Sequence, residues 1–161
     1  MSAPRSAPAA RTQEIAGEPC LLCLLALGEA ERSVVHESER AIAILDLFPV
    51  TPGHTLVFPK SHVALLSELE QEDAAHLFQL CRTAASALYR SELRCEGVNL
   101  FLAEGEAAGQ EIPHLHLHVI PRFEGDPFRI EREGGWQEER RDELDRVARH
   151  LAKAWREEAA L

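Results

Sequence analysis

Three histidines at strict two-residue spacing are the residues of this chain best suited to chemistry: His114, His116 and His118. Apolar residues separate them, and this alternation is typical of a β-strand. Because alternate side chains of a strand share a face, we expect the three imidazoles on one face and Leu115 and Leu117 on the other. Imidazole titrates near neutral pH, so this face could bind a metal, transfer protons or attack an electrophile. A merely solvated polar face is the alternative.

The spacing of the three histidines indicates that they do not all bind one metal ion. We place the strand between Pro113 and Pro121, because proline is confined mainly to strand ends and edges. A strand rises about 3.3 Å per residue, which sets the backbones of the outer two histidines about 13 Å apart, whereas zinc–nitrogen bonds are about 2.0 Å long. The outer pair could hardly share one ion. His116 is the natural nucleophile, since it has a histidine on either side.

The glycine-glutamine pair followed by the alternating histidines, in the sequence GQEIPHLHLHVIPR, resembles the histidine triad (HIT) family of nucleotide hydrolases and transferases. Residues 41–62, AIAILDLFPVTPGHTLVFPKSH, are similar to the family's first hairpin, and PCLLC and the segment 97–99 also fit. These matches span residues 18–125. The resemblance implies an α+β fold, in which a long helix crosses an antiparallel five-stranded sheet and a C-terminal helix follows. It also implies a homodimer whose two sheets join into ten strands.

The resemblance assigns a task to each histidine of the triad. His116 would attack the α-phosphate of a nucleotide and form a covalent nucleotidyl-histidine, which water or another acceptor then releases. His118 would donate a hydrogen bond to a non-bridging phosphate oxygen. The backbone carbonyl of His114 would orient the nucleophile, which leaves the His114 side chain available for a metal.

Three further residues are expected to bind substrate on the same resemblance. Asp46 would accept hydrogen bonds from both ribose hydroxyls, for which a carboxylate is suited, although a turn residue ahead of Pro49 is the alternative. Gln110 would donate its amide to a phosphate oxygen, and Asn99 would contribute from the preceding strand. We interpret His54 as a structural turn residue rather than a ligand.

Cys20 and Cys23 form a C-x-x-C pair, a spacing at which two thiolates can hold one zinc ion. A redox pair or two buried inert thiols are the alternatives. By resemblance to zinc-bearing bacterial members of the family, His62 and His114 would complete a closed Cys2His2 site. Such a site is structural rather than catalytic, so the zinc and the chemical step would be separate.

Two positions depart from the family pattern. Glu111 stands where the family often has a hydroxyl residue, and a carboxylate repels phosphate by about 4 kcal/mol at 4 Å and an effective dielectric of 20. Either Glu111 points to solvent, which we favour, or the leaving group is cationic or protonated. Ala103 replaces an amide side chain that contacts phosphate in relatives, which weakens the expectation of tight polyphosphate recognition.

The rest of the chain is expected to support one domain. We interpret residues 1–17 as a disordered tail, residues 18–125 as the catalytic domain, and residues 126–161 as a loop and helix of the same domain. A long helix is predicted over Ser67–Leu93 with a capping box at its start. A second amphipathic helix is predicted over residues 138–160.

Composition excludes several classes of protein. The chain has 161 residues, of which 45% are apolar, and this suits a domain with a proper core. A net charge of −10 argues against broad nucleic-acid binding. The sequence contains no run of 18 apolar residues, so we expect no membrane span. Four cysteines, two of them in a C-x-x-C pair, fit the reduced cytoplasm.

These features favour a homodimeric hydrolase that cleaves a phosphoanhydride or phosphoramidate bond of a purine nucleotide or nucleotide conjugate. A nucleotidyl transferase or phosphorylase is the alternative within the enzymes. A nucleotide-binding adaptor with residual turnover is the alternative outside them. A zinc-dependent hydrolase fits less well, because the alternating spacing offers no evident third ligand for an open catalytic metal.

Overall fold

The computed structural model describes residues 13–15, 17–130 and 138–158. It divides into two compact units, Met1–Pro127 and Phe128–Leu161. Most of the expected tail lies outside the described residues. The part within them includes a short strand that the tail prediction did not foresee: Glu14–Ile15 pairs antiparallel with Glu18–Pro19. That residues 126–161 belong to the same domain as the rest stays a prediction.

The described residues form two sheets. Their strands are β1 (Glu14–Ile15), β2 (Glu18–Pro19), β3 (Val34–Glu37), β4 (Ala41–Leu45), β5 (Thr55–Pro59), β6 (Gly97–Leu102) and β7 (Leu117–Arg122). The last five make one antiparallel sheet in the order β3-β4-β5-β7-β6. Together with the helices, this sheet confirms the predicted α+β class.

The register across the sheet shows which residues lie on each of its two faces. One row of paired residues, Ala43, Val57 and Leu117, belongs to an apolar core that includes the buried side of a long helix. The neighbouring row, Ile44, Leu56 and His118, faces the opposite way, as side-chain alternation requires. The predicted separation of triad histidines from leucines therefore holds: apolar side chains pack beneath the helix, and the histidines lie on the other face.

The proline boundaries predicted for the triad strand are wrong at both ends. β7 begins at Leu117, so His114 and His116 precede it, and it continues through Pro121, which pairs with Val98 of β6. The β5–β7 ladder ends at Thr55 and Val119, so Pro121 has a strand partner on one side only. A residue without a ladder partner on its second side need not donate a hydrogen bond there, which is why proline is tolerated.

The long helix is shorter than predicted. α1 covers Leu21–Leu27 and α2 covers Gln71–Arg90, whereas Leu66–Glu68 forms a separate 3-10 turn. Leu69 adopts an extended conformation and interrupts the helical path. The predicted capping box, in which Ser67 and Glu70 would cap the helix start, is wrong: Ser67 lies inside the 3-10 turn, and α2 begins after Glu70, whose side chain makes no capping hydrogen bond. α2 packs across β4, β5, β6 and β7.

The second unit contains α3, Arg141–Glu158, which begins three residues later than the predicted C-terminal helix, and the last two residues of that prediction, 159–160, lie outside the described residues. Its apolar stripe is substantially exposed along its length: Leu144, Val147, Leu151 and Trp155. Within the described part of the chain, none of the helices has the length and apolar character needed to cross a membrane.

Candidate active site

A cleft of about 790 Å³ opens on the histidine face of the sheet. His116 and His118 lie in its wall, together with Asp46. Much of the remaining lining is apolar and comes from α1, β4, the β4–β5 loop and β5: Leu21, Leu22, Leu25, Ile44, Leu45, Leu47, Phe48, Pro49, Val50 and Leu56. A few polar groups that converge beside apolar walls are typical of a small-molecule site.

A backbone contact determines which ring nitrogen of His116 can attack. Its Nδ1 lies 2.7 Å from the carbonyl oxygen of His114. A carbonyl oxygen can only accept a hydrogen bond, so Nδ1 carries the hydrogen of the neutral ring and Nε2 retains its lone pair. The contact with the main chain thus leaves Nε2 as the His116 nitrogen with an available lone pair.

His118 is connected to a residue that we predicted to be only a turn residue. His118 Nδ1 lies 2.9 Å from His54 Nε2, although the two residues are 64 positions apart. His54 Nδ1 in turn lies 3.4 Å from Oδ2 of Asp46 and 3.3 Å from the backbone N–H of Val50. His54 is only 3% exposed and lines the cleft, so the structural interpretation of His54 is incomplete.

Burial keeps this chain of imidazoles neutral. The pKa of His118 is lowered to about 4, chiefly by desolvation and in smaller part by the neighbouring His116 and His54, while the Asp46 carboxylate opposes the shift. Desolvation also lowers the pKa of His54, again against Asp46. Each ring therefore carries a single hydrogen at neutral pH, and its position decides which nitrogen donates.

A sequence signal for His54 did exist. His54 precedes β5 and has the same parity as Leu56, whose register partner is His118. Alternation along β5 would have placed His54 on the face of the triad if the pairing of β5 with β7 had been known. Local sequence patterns do not reveal which strands pair.

A second cluster, of four possible metal ligands, contains Cys20, Cys23, His62 and His114, the set predicted for zinc. The sulfur-to-nitrogen distances are 3.5 Å from Cys20 to His114, 3.6 Å from Cys23 to His114 and 3.3 Å from Cys23 to His62. A tetrahedral zinc with bonds of about 2.3 Å to sulfur and 2.0–2.1 Å to nitrogen requires a separation of about 3.6 Å. The four side chains therefore fit this ion.

The protonation chemistry of the cluster agrees with a metal. His114 Nε2 donates to the carbonyl oxygen of Pro59 at 2.9 Å, which leaves Nδ1 with its lone pair toward the cysteines. Burial raises the pKa of the Cys23 thiol to about 11, so a thiolate there needs a cation beside it. A divalent ion would supply that charge.

The structure does not bring two of the predicted substrate ligands into the cleft. Gln110 uses both ends of its amide within the protein: its oxygen accepts from the Gly105 N–H at 2.8 Å, and its nitrogen donates to the Ala64 carbonyl at 3.0 Å. The amide oxygen of Asn99 accepts from the Arg122 guanidinium. Neither residue is among those that line the cleft, so their roles in substrate binding stay predictions.

Both departures from the family pattern do lie in the cleft wall. Glu111, Ala103 and Gly109 line the side nearest the loop between β6 and β7. Glu111 is exposed as well as cleft-lining, so its side chain meets both solvent and the space in front of the histidines.

Comparison with known proteins decides the family. The HIT domain matches residues 27–125. The chain belongs to the HIT family. It is 39% identical over 112 residues to the protein hit of Bacillus subtilis, covering 69% of this chain and 77% of that protein. Family membership gives the chain a function of the HIT type, which concerns nucleotides.

Two solved HIT structures are relevant to the possible metal cluster and to the histidine-lined cleft. A zinc-bound histidine triad family protein from Mycobacterium smegmatis is 35% identical, with a TM-score of 0.66, and the match covers 87% of this chain and 96% of that one. A HIT family hydrolase from Legionella pneumophila is 32% identical, with a TM-score of 0.57, and the match covers 67% of this chain and 97% of that one. The HIT chain described here is thus similar both to a zinc-bound protein and to an enzyme.

Proposed function

We propose that this HIT protein hydrolyses a phosphoanhydride or phosphoramidate bond of a purine nucleotide conjugate through a nucleotidyl-His116 intermediate. The observation that carries the proposal is the contact between His116 Nδ1 and the His114 carbonyl, which leaves a neutral Nε2 nucleophile in the wall of a cleft. The apolar walls suit a planar base, and Asp46 can accept hydrogen bonds from ribose hydroxyls.

The reaction has two displacements at phosphorus. In the first, the lone pair of His116 Nε2 forms a bond to the α-phosphorus, and the bond from phosphorus to the leaving group breaks with its electron pair on the leaving group. In the second, a water oxygen bonds to phosphorus and the nitrogen–phosphorus bond breaks with its electron pair on His116 Nε2. The water releases a proton to solvent, which balances the proton that the leaving group took from solvent in the first displacement. His118 stabilises the phosphate oxygens by donating a hydrogen bond.

A zinc ion would be held by Cys20, Cys23, His62 and His114. When bound, it would supply positive charge that keeps both thiols ionised and ties α1 to the sheet. The chemical step depends on His116 and His118 and needs no metal in this scheme.

The test is to trap the intermediate. A panel of adenosine and guanosine phosphoramidates and dinucleoside polyphosphates is mixed with the chain, the reaction is quenched with base, and intact mass is measured. We expect one nucleotide added to the wild-type chain and none to His116→Ala, whose turnover should fall by several orders of magnitude while nucleotide binding persists. Turnover by His116→Ala close to the wild-type rate would refute the nucleophile. Release faster with added phosphate than with water alone would identify a phosphorylase.

We further propose that the chain acts as a homodimer in the cytoplasm, where its four unpaired cysteines would remain reduced. The exposed side chains of Leu100 and Phe101 on the edge strand β6 support association. Light scattering should give twice the 17.9 kDa of one chain. A mass of one chain at micromolar concentration would exclude a stable dimer.

A further inference from the structure

Asp46 has two different contacts through its two carboxylate oxygens. Oδ1 accepts the backbone N–H of Phe48 at 2.9 Å. Oδ2 lies 3.4 Å from Nδ1 of His54, the ring that bonds to His118. Asp46 also lines the cleft, where a nucleoside would present its hydroxyls. One carboxylate therefore lies between the proposed ribose site and the chain of imidazoles.

The hydrogens of this chain can be placed in two ways, which exclude each other. In the first, His54 carries its hydrogen on Nδ1 and donates to Asp46. His54 Nε2 then accepts from His118 Nδ1, and His118 Nε2 has no hydrogen. In the second, the Val50 N–H donates to His54 Nδ1, and His54 Nε2 donates to His118 Nδ1. His118 Nε2 then carries the hydrogen and can donate into the cleft.

The two arrangements compete at a single atom, His54 Nδ1. The first satisfies the Asp46 carboxylate and leaves the Val50 N–H without this acceptor. The second satisfies Val50 and sets a bare nitrogen beside a carboxylate. A group that donates hydrogen bonds to Asp46 lowers the attraction of its carboxylate for the Nδ1 hydrogen, and so favours the second arrangement.

We propose that Asp46 and His54 couple ribose binding to the tautomer of His118: ribose hydroxyls that bind Asp46 shift the hydrogen of His54 to Nε2 and make His118 a donor. This inference rests on the proposed function, in which Asp46 binds the ribose, and goes beyond it by linking that contact to the hydrogen on His118. His54 acts as a positioning residue, since it reaches the reacting atoms through His118. Recognition of ribose then raises kcat, whereas a simple binding contact would change only KM.

The kinetic test uses the 5′-phosphoramidates of adenosine and guanosine and their 2′,3′-dideoxy analogues. In the wild-type chain, we expect kcat to fall about tenfold or more for the dideoxy compounds, since loss of one preorganised donor at a phosphate oxygen has effects of this size or larger. Equal kcat for the ribose and dideoxy compounds, with any difference confined to KM, would overturn the proposal without any variant.

Asp46→Asn provides the matched variant. Its side-chain oxygen can still accept the Phe48 N–H, which turns its NH2 group toward His54 Nδ1, where it donates as the ribose-bound state requires. We expect the ratio of kcat for ribose and dideoxy compounds to approach one in Asp46→Asn, even as KM for the ribose compound rises. A ratio as large as that of the wild type would show that Asp46 only binds the sugar.

A spectroscopic test separates this inference from the proposed reaction. Nitrogen-15 shifts of the His118 ring, measured in the full chain at pH 7.5, report which nitrogen carries the hydrogen. Saturating AMP should place it on Nε2, whereas 2′,3′-dideoxy-AMP should not. The same tautomer with both ligands, or no binding of AMP, contradicts the inference. A ribose-dependent shift without any nucleotidylated His116 would instead support the coupling and refute the reaction.

Discussion

At the scale of single residues, the loop side of the cleft bears on which leaving groups the proposed reaction could use. Ala103, Gly109 and Glu111 offer no positive charge there. Among the cleft-lining residues that the structure describes, Arg32 is the only arginine or lysine, and its guanidinium is bonded to the Leu25 carbonyl at 2.5 Å and to Glu37 at 3.2 Å. A leaving group rich in phosphate would lie beside the Glu111 carboxylate, with little positive charge nearby to offset the repulsion.

We therefore predict that Glu111→Gln shifts substrate preference. The ratio of kcat/KM for a dinucleoside polyphosphate to that for a phosphoramidate of a cationic amine should rise about fivefold, because an exposed charge is partly screened by water. Glu106→Gln, in the same loop but outside the cleft, is the control. Unaltered preference in Glu111→Gln would mean that the carboxylate faces solvent during the reaction.

At the scale of elements, the four metal-ligand side chains join parts of the fold that are distant in sequence. Cys20 and Cys23 lie at the start of α1, His62 follows β5, and His114 precedes β7. α1 contributes Leu21, Leu22 and Leu25 to the apolar wall of the cleft. A metal at this cluster would hold that wall in place.

We predict one zinc ion per chain by native mass spectrometry, and a lower melting temperature with faster amide exchange in α1 after chelation. Cys23→Ser should lose the ion, whereas Cys95→Ser should keep it. Cys95 lies outside the cluster, and a serine hydroxyl can replace its 2.8 Å hydrogen bond to the Gly97 carbonyl. A metal-free wild-type chain with an unchanged melting temperature would end this assignment.

The loop between β6 and β7 contains side-chain-to-backbone hydrogen bonds that the sequence did not predict. Gln110 joins Gly105 to Ala64 and so ties this loop to the segment before α2. A side-chain amide has the same donor and acceptor whether its partner is phosphate or backbone. The pattern GQ therefore could not tell these two uses apart.

At the scale of the whole molecule, burial of neutral imidazoles makes stability depend on pH. The pKa of His118 is about 4 in the folded chain, below its value of about 6.5 in an unfolded one. Between these values the unfolded state binds more protons. The contribution of His118 is thus complete above pH 6.5 and is lost as the pH falls toward 4.

We predict that the free energy of unfolding in urea falls by about 1–2 kcal/mol between pH 7 and pH 4.5 through His118, less than the full pKa shift would give, because water screens the half-buried ring. His118→Gln, which cannot titrate, should show a correspondingly smaller fall over the same range. Parallel pH profiles for the two proteins would show that His118 is not held neutral by the fold.

The sequence by itself determined the α+β class and the face on which the triad histidines lie, and it named the four side chains that the fold brings together as a possible metal cluster. These features follow from the local alternation of side chains and from histidines and cysteines at spacings that are uncommon unless they have a function. Only the tertiary structure brought His54 to His118, engaged Gln110 with backbone and put Glu111 in the cleft wall. Those outcomes depend on strand register and loop path. Both are decided by the packing of residues far apart in the chain, which local side-chain spacing does not encode.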